Sequence, residues 1–445
     1  GTQPVVRILD RDGNLVTTGS QATQTVSLSA TGAVLDGTVS MAAVAGEADF
    51  AGKGLKLTGL IGPKPLKASI SSPETIEATA TITLQFGAAT QLALTQAAAG
   101  FVNRTDFTTQ PIVEVRDVSG NAVTNYSGTV AIGVGSGVTF SGTPSVVLNG
   151  AQSGLASFTG LGLYGTVGSY TLTYSSGSLT TATQSVNLTH GVATQLSVTT
   201  EADGARAGVV FDDQPVVKVL DQDSNLVLTG DAATSNIRVQ SSGGTLAGTL
   251  TALAQGGIAT FSGLKLSGTV GTYQLSYSAL SPALAATFAT RTHDIELAPG
   301  VATEIHVTSQ PSAVIAGEAL NPVVSVQLRD AWQNVVTTDS TSTVKPVLVD
   351  ASTEAVIDSS VSATAVTNGA VSFTGLSFTS AGQRKLKFES GPITKLSDSF
   401  TITHAAASQI AWTSTAPSSM RNEIAISSAP TFEIRDQFGN PALTG

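Results

Sequence analysis

Two stretches of this chain set carboxylate and amide side chains at the spacing of the first three ligands of an EF-hand calcium loop: Asp10-x-Asp12-x-Asn14 and Asp221-x-Asp223-x-Asn225. Alternating oxygen donors at loop positions one, three and five can converge on a hard cation. The rest of such a loop is missing. Position six is Leu15 or Leu226 where a sharp turn needs Gly, and position twelve is Gln21 or Ala232 where a bidentate Glu belongs. Asp212 and Asp213 are expected to approach the second stretch from the facing side of the fold, which makes it the better calcium candidate of the two.

Other letters that spell chemistry carry less. Gly160-Leu-Gly162-Leu-Tyr-Gly165 matches a dinucleotide fingerprint, but the fingerprint needs a helix after its glycines and a strand is expected here. The corresponding place further on is Gly263-Leu-Lys265-Leu-Ser-Gly268, so only the outer glycines recur. The four histidines form no HExxH and no close pair, and His190, His293 and His404 are expected to pack at linkers. No local nucleophile–base arrangement can be read, so no catalytic residue is assigned and no enzyme is expected. Three sequons, at Asn103, Asn125 and Asn187, cluster in one region and admit a glycan.

The acidic stretches belong to something larger. Asp four residues before Asn occurs five times, as Asp10/Asn14, Asp117/Asn121, Asp221/Asn225, Asp330/Asn334 and Asp436/Asn440. The spacing is near-constant at about a hundred residues, which marks tandem modules. Ahead of each Asp the second and fourth residues are apolar (Ile8/Val6, Val115/Val113, Val219/Val217, Leu328/Val326, Ile434/Phe432) and the third is polar. Period two is the pattern of a half-buried strand. The fourth copy lengthens the run between Pro322 and its Asp by two residues, which keeps every side chain on its own face. The plainer reading of all five turns is therefore structural: Asp caps backbone N–H groups, and Gly or Asn accepts the left-handed conformation that reverses the chain. Gln333 and Ser224 stand where other copies have the turn Gly, so those two turns are expected to be built differently.

Two more signatures keep the same period. Ala-Thr-Gln-Leu and its variants at residues 89, 193, 302 and 407 open a module, and Gly-x-(Ala/Val)-x-Phe places Phe50, Phe158, Phe261 and Phe373 on core parity. Boundaries fall just before the opening strands. They give 1–86, lacking its first strand, then 87–190, 191–298 and 299–404, and 405–445 as the first strands of a further repeat. The junction over residues 291–301 is the longest and the expected place for a bend; the others leave little free linker. A further strand is expected after each Phe, as in Tyr170-Thr-Leu172-Thr-Tyr174, and repeat one matches that pattern most loosely, with Lys64-Pro65-Leu66.

The 445 residues are 41% hydrophobic, 12% charged and 5% aromatic, with 45 Gly, no Cys and a net charge of −10. That composition suits many short strands and excludes disorder, a disulfide framework and a thiolate metal site. The acidic balance, without Lys or Arg runs, argues against nucleic acid and anionic membrane surfaces, and no apolar run is long enough to span a bilayer. The expected fold class is all-β, a tandem array of Ig-like β-sandwich domains.

The strand-and-turn Val-x-Val-x-Asp-x-x-Gly-Asn, then Gly-x-Ala-x-Phe, then Gly-x-Tyr-x-Leu, resembles the bacterial Ig-like repeats of invasin- and intimin-type adhesins and other large surface proteins. The resemblance covers the whole chain. It implies an extracellular, cell-surface protein, a repeat rod in a filament, sheath or surface layer. Its partners would be further copies or neighbouring surface proteins. The alternative is the stalk of an adhesin whose binding tip lies outside these residues. Some similar domains carry Lys–Asn isopeptide bonds, and residues 87–190 contain no Lys to form one. Both ends fall at the same phase of the repeat, so the sequence is expected to be part of a longer chain.

Overall fold

A computed structural model of the chain describes residues 2–71, 74–281, 288–415, 418–425 and 429–442. Among them the chain is all-β, with only the short 3-10 turns Ser20–Thr23 and Asp231–Thr234 breaking the run of strands. No helix among the described residues is long and apolar enough to cross a membrane. By contact density the chain divides into two units. One is Gly1–Ala193 with Asp221–Val227, and the other is Thr194–Leu220 with Leu228–Gly445.

In the first unit, residues 87–190 form an Ig-like sandwich. One sheet orders Leu155–Ser157, Ile112–Asp117 and Ala89–Gln96, and the other Ser145–Asn149, Ser127–Gly133, Gly168–Ser175 and Ala182–Leu188. Alternation puts Val113 and Val115 inward, where they meet Phe158, Leu172, Tyr174 and Leu188. The Phe158 and Tyr174 rings pack edge to face at 6.3 Å. Burying rings of this size contributes on the order of 2–3 kcal/mol each, so they anchor a core otherwise made of small aliphatics. The Gln110-Pro111 pair that opens the strand ahead of the turn Asp (the organising strand of each module) has a structural use. The Pro111 carbonyl accepts the Phe158 N–H, and the Gln110 amide donates to the Phe107 and Leu161 carbonyls while accepting the Leu161 N–H.

Residues 1–86 repeat the plan with fewer partners. Val5–Arg7 pairs Glu47–Asp49 alone, while Ser40–Ala42, Thr25–Ala30, Gly62–Ile70 and Ile76–Leu84 form the second sheet. The strand that keeps the repeat pattern most loosely, at Lys64-Pro65-Leu66, runs nine residues, Gly62–Ile70. Its prolines are tolerated because Thr25–Ala30 pairs only from Leu66 onward. Pro63 and Pro65 therefore lie beyond that pairing, where Pro65 still offers its carbonyl to the Thr31 N–H and no ladder donor is needed from either ring.

In the second unit, Ala193–Thr200, Val216–Asp221 and Ile258–Thr260 make one sheet and Thr251–Leu253, Asn236–Ser241, Gly271–Ala279 and Arg291–Leu297 the other. The last strand corrects the sequence reading, which took residues 291–301 as linker. His293, Ile295 and Leu297 alternate inward and are buried, so hydrophobic parity makes this the closing strand of the sandwich. His293 accordingly stacks on Tyr277, ring centroids 5.6 Å apart, rather than packing at a junction. Residues 299–404 form the most elaborate sheet, centred on Thr343–Asp350 and Gly382–Ser390, over a core of Ile305, Val326, Phe373, Leu386 and Phe388. Its organising strand, Val324–Arg329, keeps Val324, Val326 and Leu328 inward despite the two extra residues. Phe50, Phe158, Phe261 and Phe373 are all buried.

Residues 405–442 contribute the pair Ala407–Trp412 and Phe432–Asp436. Trp412 and Phe432 meet edge to face at 6.3 Å, and both are more than half exposed, at 63% and 61%. Phe432 stands four residues before the turn Asp, the strand position that Val113 and Val217 hold in the cores of their modules.

Candidate functional site

The strand parity that places valines on the core also places each Asp at the end of the same row, because it stands two residues beyond the last inward apolar one. A carboxylate there must find donors or pay heavily for burial. In all five turns one Asp oxygen accepts the N–H groups two and four residues on. The bonds run from Asp12 and Asn14 to Asp10 (3.0 and 2.8 Å), and from Trp332 and Asn334 to Asp330 (2.9 and 2.9 Å), with equal geometry at Asp117, Asp221 and Asp436. The Asp N–H bonds the Asn carbonyl, closing the reversal. Ser224 and Gln333 adopt the same left-handed backbone (φ 65° and 67°) as Gly13, Gly120 and Gly439. The expectation that those two turns differ is thus corrected. Carboxylate bonds to both flanking N–H groups fix the conformation and outweigh a strain of about 1–2 kcal/mol for a side chain in that region.

Four of the five turns do more. The second Asp oxygen reaches the segment leading into its own module, accepting the N–H of Gly87 (2.9 Å), Gly191 (2.9 Å), Gly300 (2.9 Å) and Ala405 (2.8 Å). The Asn side chain reaches further, onto a loop of the preceding module. Asn121 accepts the Ile61 N–H and donates to the Gly59 carbonyl, both at 2.9 Å. Asn225 does the same to Val167 (3.0 Å) and Gly165 (2.8 Å), and Asn334 to Val270 (3.0 Å) and Gly268 (2.9 Å). Asn440 reads Ala381 (2.9 Å) and Thr379 (2.7 Å). One amide thus satisfies a donor and an acceptor two residues apart, a two-point contact with backbone alone. Turn and loop lie in the same contact unit in every case, and Asp221–Val227 clusters with the first unit although its strand belongs to the next sandwich.

Electrostatics follow the geometry. Burial by itself would raise the pKa of Asp117, Asp221, Asp330 and Asp436. Hydrogen bonds from the Asn side chain, the linker N–H and the turn N–H groups outweigh it and hold all four below the usual carboxylate value, Asp436 at about 2. Asp10 is lowered chiefly by the Asn14 N–H and side chain.

The calcium candidates find these same partners. Asn103 Nδ2 donates to Asp221 and to Asp223, both at 2.8 Å, and the Arg104 guanidinium forks onto both Asp223 oxygens at 2.7 and 2.6 Å. Arg104 also lies 5.0 Å over the Tyr164 ring. Asp212 bonds Arg206 at 3.2 Å, and Asp213 pairs through its backbone with Asp203, so neither is drawn to the Asp221 turn. N–H donors and a guanidinium face the oxygens a cation would need, which suits a docking contact and not an oxygen cage. Asp10, Asp12 and Asn14 are exposed, with Asp10 bonded by the turn itself. Among the described residues no group of three or more His, Cys, Asp or Glu is assembled to hold a metal.

Of the other sequence candidates, Gly162–Gly165 is a strand, and the Gly165 carbonyl is the group Asn225 reads. His190 and His404 set a ring nitrogen 2.9 Å from the following carbonyl at module starts. Asn103 is buried in its contact with the Asp221 turn, whereas Asn125 and Asn187 are exposed. The loops read by asparagine escaped sequence reasoning. Their one trace was the pair of outer glycines, Gly165 and Gly268, each followed by Thr-Val-Gly.

No model of a known protein family matches the chain, and no curated protein sequence does. Among solved structures, 73% of the chain aligns with the whole of the Escherichia coli adhesin FdeC structure at 16% identity and a TM-score of 0.34. Against invasin, a bacterial integrin-binding protein, 92% aligns with 81% of that chain at 13% identity and a TM-score of 0.32. Against domains 1–6 of the surface layer protein SbsC, 95% aligns with 55% of that chain at 14% identity and a TM-score of 0.22.

Proposed function

We propose that this chain is an extracellular structural protein of a bacterial cell surface. Its modules would be held end to end as a rod contributing to a filament, sheath or surface layer, with further copies or neighbouring surface proteins as partners. The observation that carries the reading is the asparagine contact, repeated at Asn121, Asn225, Asn334 and Asn440 with the same two backbone partners each time. A free linker would let the modules orient independently, whereas a two-point amide contact plus a buried carboxylate fixes both position and rotation at a junction. Each bond is worth about 1 kcal/mol when made, and stranding a partner that is shielded from water costs about 1–3 kcal/mol. A chain whose most regular feature is the setting of module on module has spacing and reach as its output, and no catalytic role is proposed for it.

Electron microscopy of the native material tests this. An ordered lattice or filament is the expected result. Separate stalks ending in a distinct tip would replace it with the adhesin-stalk reading, and scattering that fits a freely jointed chain at every junction would overturn both.

A further inference from the structure

The asparagine contact is the same at every junction, but beside it lies a contact that differs. The turn residue two after the Asp is Asp223, Trp332 or Phe438 in the last three turns. Each meets one position on a loop of the preceding module, and that position is structurally equivalent in all three. Arg104, Gly208 and Gly317 each stand three residues before a buried apolar residue (Phe107, Phe211, Leu320) and each has left-handed φ (61°, 73° and 85°). Their N–H groups bond corresponding carbonyls, Leu163, Leu266 and Phe378, all at 2.9 Å.

The chemistry at the two facing positions changes together. Where the turn offers a carboxylate, Asp223, the loop offers Arg104, forked onto it. Where the turn offers a large ring, the loop has no side chain at all. A Cβ on Gly208 would lie 2.1 Å from Trp332 Cη2, and one on Gly317 would lie 2.5 Å from Phe438 Cζ. Left-handed φ alone does not demand glycine here, since Arg104 adopts it. The ring overhead does. Conversely, a carboxylate above Gly208 would face a bare backbone, and a ring above Arg104 would strike the side chain.

We propose that these two positions form a matching pair that decides which module can pack on which, one class charged (Arg104 with Asp223) and the other aromatic over glycine (Trp332 with Gly208, Phe438 with Gly317). The asparagine contact supplies attachment common to all modules, and the pair supplies selectivity, with mismatches penalised by a clash or an unpaired charge. By the same rule Asp12 assigns the first turn to the charged class, and the neighbour it fits carries arginine at the left-handed loop position. The proposal rests on the asparagine contact only for locating the junctions.

The test is a double-mutant cycle in the full chain, read by residue-resolved hydrogen exchange at Val167, whose N–H is held by Asn225. Arg104→Gly alone and Asp223→Trp alone are each expected to speed exchange about tenfold, and the double variant, which transplants the aromatic class, to return it to within about threefold of the unaltered chain. A double variant that equals the product of the two singles, or singles without effect, overturns the pairing. Asn225→Ala, read at the same amide, tests attachment separately. If Val167 stays protected, the attachment reading fails, and the pair is then judged on a readout that needs no asparagine. In a Trp412→Phe background Trp332 is the sole tryptophan, and Gly208→Arg is expected to shift its emission to the red by driving the ring off the loop. An unmoved emission overturns the pair independently.

Discussion

The turns at Asp10–Asn14 and Asp330–Asn334 share their motif, their reversal and their local hydrogen bonds, yet Asp10 and Asn14 are exposed whereas Asp330 and Asn334 are buried, Asp330 at 0% accessibility. The difference is the neighbour. Asp330 and Asn334 bond Gly300, Val270 and Gly268, while among the described residues the bonds of Asp10 and Asn14 stay within their own turn. Local sequence therefore builds the turn, and the contact across modules buries it. A motif that looks like a cap in isolation is a cap and a connector at once.

The largest effect expected from this contrast is at the carboxylate. Asp330→Ala strands the N–H groups of Gly300, Trp332 and Asn334 in a buried place and should weaken the junction by about 3 kcal/mol or more. The loss is to be read as faster amide exchange at Gly300 and along Val324–Arg329. Asp10→Ala should produce a far smaller change in its own module, and an equal change at both sites would break the comparison.

Next comes the amide. Asn334→Ala should cost about 1–3 kcal/mol, seen as exchange at Val270 faster by roughly one to two powers of ten, because a part-buried N–H and carbonyl lose their partner together. Asn14→Ala should leave the exchange of other modules untouched. Spread of the Asn334 effect into residues 343–350 would mean that the contact supports the sandwich and not the junction.

Acid gives a graded version. Asp117, Asp221, Asp330 and Asp436 are all held below the ordinary aspartate value of 3.8 in the folded chain, so the stability they contribute is fully present above that value and is lost as pH falls through the folded one. For Asp436 the window runs from 3.8 down to about 2. Junction amides such as Gly300 should therefore lose protection in acid before the core strands do. Cores that open first would show that the turns are not the weak points at low pH.

The smallest effect is expected from calcium. Because Arg104 and Asn103 already engage Asp221 and Asp223, chelator should leave exchange at Gly191 unchanged, and Asp223→Asn should act through the lost guanidinium pair with or without the metal. Chelator-dependent exchange at Gly191 would reinstate the oxygen-ligand reading of this turn.

The fold was legible because its determinants are periodic. Parity put Val113, Val115 and Phe158 inside, and the two-residue insertion before Asp330 could be seen to preserve it. The closing strand Arg291–Leu297 was missed because it stands well downstream of its partner, so its alternation read as a long linker. Of the site, the Asp and Asn were visible from their recurrence, but their partners were not. Asn334 reads the backbone of Gly268 and Val270, and a carbonyl or N–H has no letter of its own. The pairing of Arg104 with Asp223 spans a module's length and shows only when the two loops are superposed.

Reading backbone in place of side chains has a consequence for ancestry. Each module carries the asparagine on one end and the loop that a following asparagine reads on the other. Duplicating the segment therefore duplicates the asparagine joint. A side chain at Thr379 leaves the addressed carbonyl in place, whereas one at Gly165 would not, because a Cβ there would lie 2.3 Å from the Gly137 carbonyl oxygen. Such a chain can lengthen or shorten by whole repeats without inventing a new attachment at each step, wherever the facing turn and loop side chains match.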